Sequence, residues 1–335
     1  MICFPIHRVN RIATLAILPL MAVAVVIGSR AAHKSSPVAP MPHEGLLIVA
    51  QLKGEALTTF NLQNSGDARQ LALAGPPHEL AVVDGRLYVT LERANEIDEI
   101  APAVPAVMRS LPLDNWPHGL AVDGDKLLVT LDEGSALVAI DRATMTEQSS
   151  VATGDTPHTV AFADGTAYVT DSRDNDLRAI AQDRTPIGSL SHTSPTVATG
   201  ALPEAITILG KWVITADADG GTLTVVDRAT FQVVRNIQTG GRPVRIVPLD
   251  SDRVLVAMNT SSRVLVVNIS TGTIEKSIAT NGHPDGVCIS PSRDYVAVAS
   301  NEAGLVQIFR LSDWAPAGAL NAGDGLGACV WVANH

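Results

Sequence analysis

The chain is short of positive charge and of aromatic rings. Its 335 residues include 24 Lys or Arg against 34 Asp or Glu, a formal charge of −10, and no local basic patch interrupts that excess. An acidic surface repels phosphate backbones, which counts against nucleic acid as a partner. Aromatic residues make up 4% of the chain while hydrophobic residues reach 46%, so a packed core is available but must be largely aliphatic. The common catalytic signatures are missing: there is no G-x-x-x-x-G-K-S/T, H-E-x-x-H, G-x-S-x-G or C-x-x-C. The stretch GDGLG at 323–327 imitates a dinucleotide loop but leads into a strand, with no helix to receive a pyrophosphate.

The N-terminal residues read as a targeting segment. Arg8 and Arg11 precede an apolar run over residues 12–28, and Ser29-Arg30-Ala31 supplies small residues for a cut. The run is 17 residues long and contains Pro19, short for a comfortable span. Residues 1–31 are therefore expected to be a signal peptide or signal anchor, the chain's one route to a membrane, and its removal would leave a charge of −13. KSSPVAPMP lies within a tether over 32–45. The expected location is the periplasm or beyond, with inner-membrane anchoring if the segment is retained.

What the chain has in abundance is a repeat. PPHELAV (76–82), WPHGLAV (116–122) and TPHTVAF (156–162) carry Pro-His pairs 40 residues apart. The register continues through Pro203, Pro243 and Pro284 at gaps of 46, 40 and 41, and a last copy, GLGACVWVA, begins at Gly325 without its proline. Each unit holds four short apolar runs rich in Val, Ile and Thr, separated by turns such as VDGR and ADGT. Four strands per forty-residue unit describe a propeller blade. The 46-residue gap predicts a longer surface loop around residues 189–200. Before the first Pro-His pair only three runs occur and after Gly325 only one, so strand 328–333 is expected beside the strand near Leu46, closing the ring and removing free edges. The predicted fold is an all-β, seven-bladed β-propeller spanning residues 46–335 as one domain, and the expectation is a monomer.

LYVTLERAN (87–95) and AYVTDSRDN (167–175) resemble the YVTN-type seven-bladed propeller repeats of exported bacterial proteins, over residues 46–335. The pattern departs where Leu91, Leu131 and Asp171 stand in place of Asn. The resemblance implies a rigid extracytoplasmic disc that presents loops for binding. Its members range from ligand binders to subunits of amine-oxidising enzymes, so the fold does not fix an activity.

In such a ring the loop entering each first strand and the loop joining strands two and three lie on one face. His78, His118 and His158 should therefore surround the channel mouth. Glu204 and Asp285 hold the same position in later blades, with Val244 and Leu326 completing the ring. The second-to-third-strand loops add an acidic border that includes Asp132, Glu133, Asp171, Asp174 and Asp217. One reading is a site for a small ligand or a divalent cation; if a metal is the cofactor, His78, His118, His158 and Glu204 are its ligands. The other is architectural, each imidazole hydrogen-bonding the backbone of the next blade.

Cys3 lies in the targeting segment. Cys288 and Cys329 share one repeat position, where earlier blades carry Ala81, Ala121 and Ala161. Equivalent positions point in the same rotational sense, so the expectation is two small buried thiols rather than a disulfide. The functional expectation is an exported binding or scaffolding module for a small ligand, cation or protein. The alternatives are a metal-dependent lactonase or lyase using the ring, and a non-catalytic propeller subunit of a periplasmic redox enzyme.

Overall fold

Short β-branched runs flanked by two-residue turns fold as predicted. Asp84 and Gly85 both take positive φ, 50° and 70°, the mirror-image turn whose twist matches the strands it joins, and it links Val83 to Arg86. Repetition of this grammar produces seven four-stranded antiparallel sheets in the computed structural model, which describes residues 41–64, 67–181 and 194–333. The predicted leader and most of the predicted tether lie outside the described residues. Among the described residues, no helix is long and apolar enough to cross a membrane.

Blade 1 consists of Leu326–Val332, Leu46–Gln51, Ala56–Asn61 and Asp67–Ala72, in that spatial order. Closure of the ring by both ends of the chain is thus observed, with Leu47 opposite Trp331 and Ile48 opposite Val330. The closing strand starts two residues before the predicted 328. The other blades begin at Pro77, Pro117, Pro157, Pro203, Pro243 and Pro284, the six prolines that set the repeat.

Strand Leu46–Gln51 is buried along its whole length because a blade is covered on both faces. Alternate side chains point to opposite faces of a sheet. Leu46, Ile48 and Ala50 pack with Leu87 and Val89 of blade 2, whereas Leu47 and Val49 pack with Ala297 and Ile308 of blade 7. Truncating a side chain enclosed like Leu47 costs about 2–5 kcal/mol. The fourth strands are polar and exposed, as in Thr146–Ala152. In blade 4 that strand is only Thr196–Ala198. It occupies part of the predicted long loop, whose residues 189–193 lie outside the described residues.

The expectation of free thiols is overturned. Cys288 and Cys329 form a disulfide, with Cα atoms 5.8 Å apart. The rotational argument holds for blades set far apart, but these two residues stand on innermost strands. There the blades converge on a narrow channel, and neighbouring equivalent positions come within disulfide reach.

Candidate functional site at the channel mouth

Each innermost strand begins with an irregularity. Pro77 pairs with Leu91 but Leu80 pairs with Val89, which places one extra residue on the inner strand. Pro117 and Pro157 repeat the pattern. Proline is tolerated at the first residue of a strand, and a bulge directly after it re-aims side chains. The residue so re-aimed in blades 2, 3 and 4 is histidine.

The three imidazoles form a tilted stack. Ring centroids lie 3.6 Å apart for His78–His118 and 3.9 Å for His118–His158, while the outer pair is 6.1 Å apart. His118 Nδ1 donates to the carbonyl of His158 at 2.7 Å, and His158 Nδ1 donates to that of Glu204 at 2.8 Å. A carbonyl only accepts, so each of these rings carries its proton on Nδ1 and leaves a lone pair on Nε2. Each bond crosses from one blade to the next, as the architectural reading expected. His78 breaks the series: its buried Nδ1 meets no hydrogen-bond partner among the described residues. The carbonyl of His118 accepts from Thr90 Oγ1 at 2.7 Å, and Thr90 Oγ1 in turn accepts from Glu79 N at 3.0 Å. Thr130 does the same one blade on, accepting from Gly119 N and donating to the His158 carbonyl. A Cβ at Gly119 would lie 2.6 Å from that carbonyl oxygen, so the blades meet this closely only with glycine there.

Burial holds all three histidines well below their ordinary pKa. The second cause is the neighbouring imidazole: His158 for His78, His78 for His118, and His118 for His158. The rings are neutral in the fold, whereas an unfolded chain protonates them near 6.5. Their stabilisation is therefore complete above that pH and is lost as pH falls below it. For His118, 3% exposed, the loss is about 1.4 kcal/mol per pH unit. Asp132 and Asp171, pushed up to about 6 and about 7, mainly by burial, take up protons in the same range and act in the opposite sense. The informative measurement is thus a comparison: urea melts of wild type and His118→Asn between pH 7 and pH 5 should diverge by roughly that slope. Parallel curves would show that His118 is protonated in the fold.

Two arginines that the sequence reading missed complete the mouth. Arg245, from blade 6, reaches across the channel to Glu79 of blade 2 and lies 3.6 Å from Asp285 of blade 7. Arg242 pairs with both Glu204 and Asp219. These groups border a cavity of about 280 Å³ that His78, His158, Val244 and Asn259 also line. Glu79 and Arg245 line a second cavity as well, about 220 Å³, walled by Leu80, Leu120, Ile206, Ile246 and Cys329. The Arg245–Glu79 pair therefore stands between the two cavities, lining both. Burial raises the pKa of Glu204 and of Asp285, opposed by Arg242 and Arg245 respectively.

The structure brings together His78, His118, His158, Glu204 and Asp285. Leu326 is buried in the closing strand. The acidic border does not line the mouth cavity. Asp217 is raised by burial and accepts from the hydroxyls of Thr215, Thr222 and Thr224. Asp171 accepts from Arg178 Nε at 2.8 Å, and Glu133 and Asp174 are exposed. Among the described residues, one group of three or more His, Cys, Asp or Glu side chains has ligand atoms all within 4.8 Å, and it is Asp171, Asp174 and Asp176. His118 and His158 instead take their directions from the carbonyls that hold them.

The class defined by this geometry is the seven-bladed β-propeller with a polar channel mouth. No family model and no curated protein matches the chain. Among solved structures it is similar to a protein of unknown function from Desulfotomaculum acetoxidans, at a TM-score of 0.73 and 16% identity over 84% of this chain and 98% of that one. It is also similar to apo AztD from Citrobacter koseri, at 0.67 and 12% over 86% and 98%. A third likeness is to Kuenenia stuttgartiensis hydrazine synthase, at 0.61 and 16% over 75% and 88%. Identities this low show a shared fold and nothing finer.

Proposed function

We propose that this protein is an exported propeller of the YVTN type that works as a binding module, taking a small cationic ligand at its channel mouth. The observation that carries this reading is His158, pinned through Nδ1 to the carbonyl of Glu204 so that its Nε2 keeps a lone pair, which lines the mouth cavity together with Glu204 and Asp285. Such a wall accepts hydrogen bonds or coordinates, and both mouth arginines are already engaged by carboxylates. The acid-rich loops around it favour the approach of a cation. The lactonase or lyase reading gains less, since the imidazole nitrogens do not converge as a three-histidine metal site requires. A redox-enzyme subunit fits the fold, but nothing in the site favours it.

Titration calorimetry with Ni²⁺ and with 1,4-diaminobutane tests the proposal. One of these probes should bind with a stoichiometry of one, and both Glu204→Gln and His158→Asn should weaken it about tenfold or more. Absence of heat with both probes, or binding that the two variants retain, would refute a cation site in the mouth.

A further inference from the structure

The residue that follows a blade's third strand fills the gap to the blade before it. Leu62 of blade 1 joins a core cluster with Ala297 and Ile308 of blade 7, and Ile269 of blade 6 joins one with Ile214 and Val225 of blade 5. Leu311 of blade 7 packs against the cluster that holds Leu255 and Val264 of blade 6. Arg142 of blade 3 reaches Asp84 of blade 2 at 2.9 Å, and Arg228 of blade 5 reaches Asp164 of blade 4 at 2.6 Å. In blade 2 this position is Pro102, a side chain too short to do the same. The blade 4 counterpart lies outside the described residues.

What stays open is a cavity of about 450 Å³ between blades 1 and 2, at the turns on the face away from the channel mouth. Leu46, Val82, Ala103 and Val332 wall it, and among the described residues no charged side chain lines it. Polarity has been lost here at several positions together. Asp141, Asp227 and Asn268 end the third strands of blades 3, 5 and 6, and each accepts a hydrogen bond from a backbone N–H of the turn that follows; blade 2 ends that strand with Ala101. Arg228 stands 6.0 Å from the Tyr168 ring of blade 4, whereas blade 1 carries Ile48 at the matching strand position. The blade 2 turn holds two prolines, Pro102 and Pro105, and Val104 is 67% exposed between them. One polar feature remains in the lining: Asn61 Oδ1 accepts from Gln63 N at 3.1 Å, which leaves Asn61 Nδ2 as a donor.

We propose that this gap is a binding site for a small neutral molecule with an apolar body and one carbonyl oxygen, the oxygen accepting from Asn61 Nδ2. Its volume falls within the range of about 300–1,000 Å³ typical of small-molecule sites, and apolar walls with a single placed donor are the usual lining. An uncharged lining gives a charged ligand no partner to offset its lost hydration, so the ligand it fits is neutral. Its body covers the walls that Leu62 and Ile269 cover at their own junctions. The site is separate from the channel mouth and stands or falls independently of it.

The test uses prodan, a neutral naphthalene dye with one ketone, whose emission moves to the blue when it leaves water. Titrating the purified protein into the dye should give that shift, with one dye per chain and Kd about 10⁻⁴ M. Pro102→Leu puts into the gap the residue that blades 1 and 7 carry at this point, and it should weaken dye binding about tenfold or more. The variant should stay folded, since leucine is accepted at the matching turns. Pro102→Arg, after blades 3 and 5, provides a second variant with the same expected loss. No blue shift up to about 1 mM protein, or a Kd that both variants leave unchanged, would overturn the proposal. Sedimentation velocity on the same samples should show a monomer. A dimer that Pro102→Leu dissociates would assign the gap to a second copy of the chain and overturn the small-molecule site.

Discussion

Replacing Cys288 and Cys329 together by alanine should destabilise the protein by about 4 kcal/mol. The bridge closes a 41-residue loop, and in the chain-entropy account that length lies between the values of about 3 and about 4.7 kcal/mol given for short and long loops. Its position adds to the effect. Cys329 sits in the strand that completes blade 1, and Cys288 in the innermost strand of blade 7, so the bond anchors the closing strand to the blade before it. For a domain of this size the loss corresponds to about 6 °C in melting temperature. Denaturant melts of the double variant, and of wild type with and without reductant, measure it. Intact-mass analysis after alkylation without reductant should show neither residue modified; labelling of both in the native protein would contradict the bridge.

The second large effect is expected from Arg245→Ala. The variant leaves Glu79 and Asp285 facing one another across the channel with no cation between them. Breaking a fully buried pair typically costs 3–5 kcal/mol. Arg245, Glu79 and Asp285 are 17%, 16% and 24% exposed to the mouth, so water offsets part of that and the expectation is about 2–3 kcal/mol. The loss should be greater at pH 8 than at pH 5, because burial raises the pKa of Asp285 and its protonation at low pH relieves the repulsion. Adding Glu79→Gln should recover part of the stability at pH 8. A loss that is the same at both pH values would mean that the side chain's packing matters and its charge does not.

The contrast between Arg245 and the histidines shows what was legible in the sequence. Pro77, Pro117 and Pro157, with their histidines, recur at the structural period, and periodicity identifies the blades, the face and the mouth from residue order. Thr90 and Thr130 recur too, but a buried threonine in such a strand reads as an ordinary strand former, and its hydroxyl bond to the next blade shows only in three dimensions. Arg245 has no periodic counterpart. Its partner Glu79 is 166 residues away on the opposite side of the ring, a pairing set by closure of the circle. The cysteines failed for a related reason: their shared register was visible, but the 5.8 Å that separates them depends on how tightly the inner strands crowd the axis. Asp171 and Asp217 look alike in sequence, and the chemistry that separates them belongs to their neighbours across the hairpin.

The shared first blade has a consequence for biosynthesis. As the polypeptide leaves the ribosome, the sheet nearest its start waits with three strands while six complete ones form behind it. Leu47 and Val49 keep an uncovered flank until the segment carrying Trp331 is made, since that segment and blade 7 supply their cover. Maturation is therefore timed by the last strand to emerge, and any truncation that removes it leaves an open, adhesive arc rather than a smaller ring.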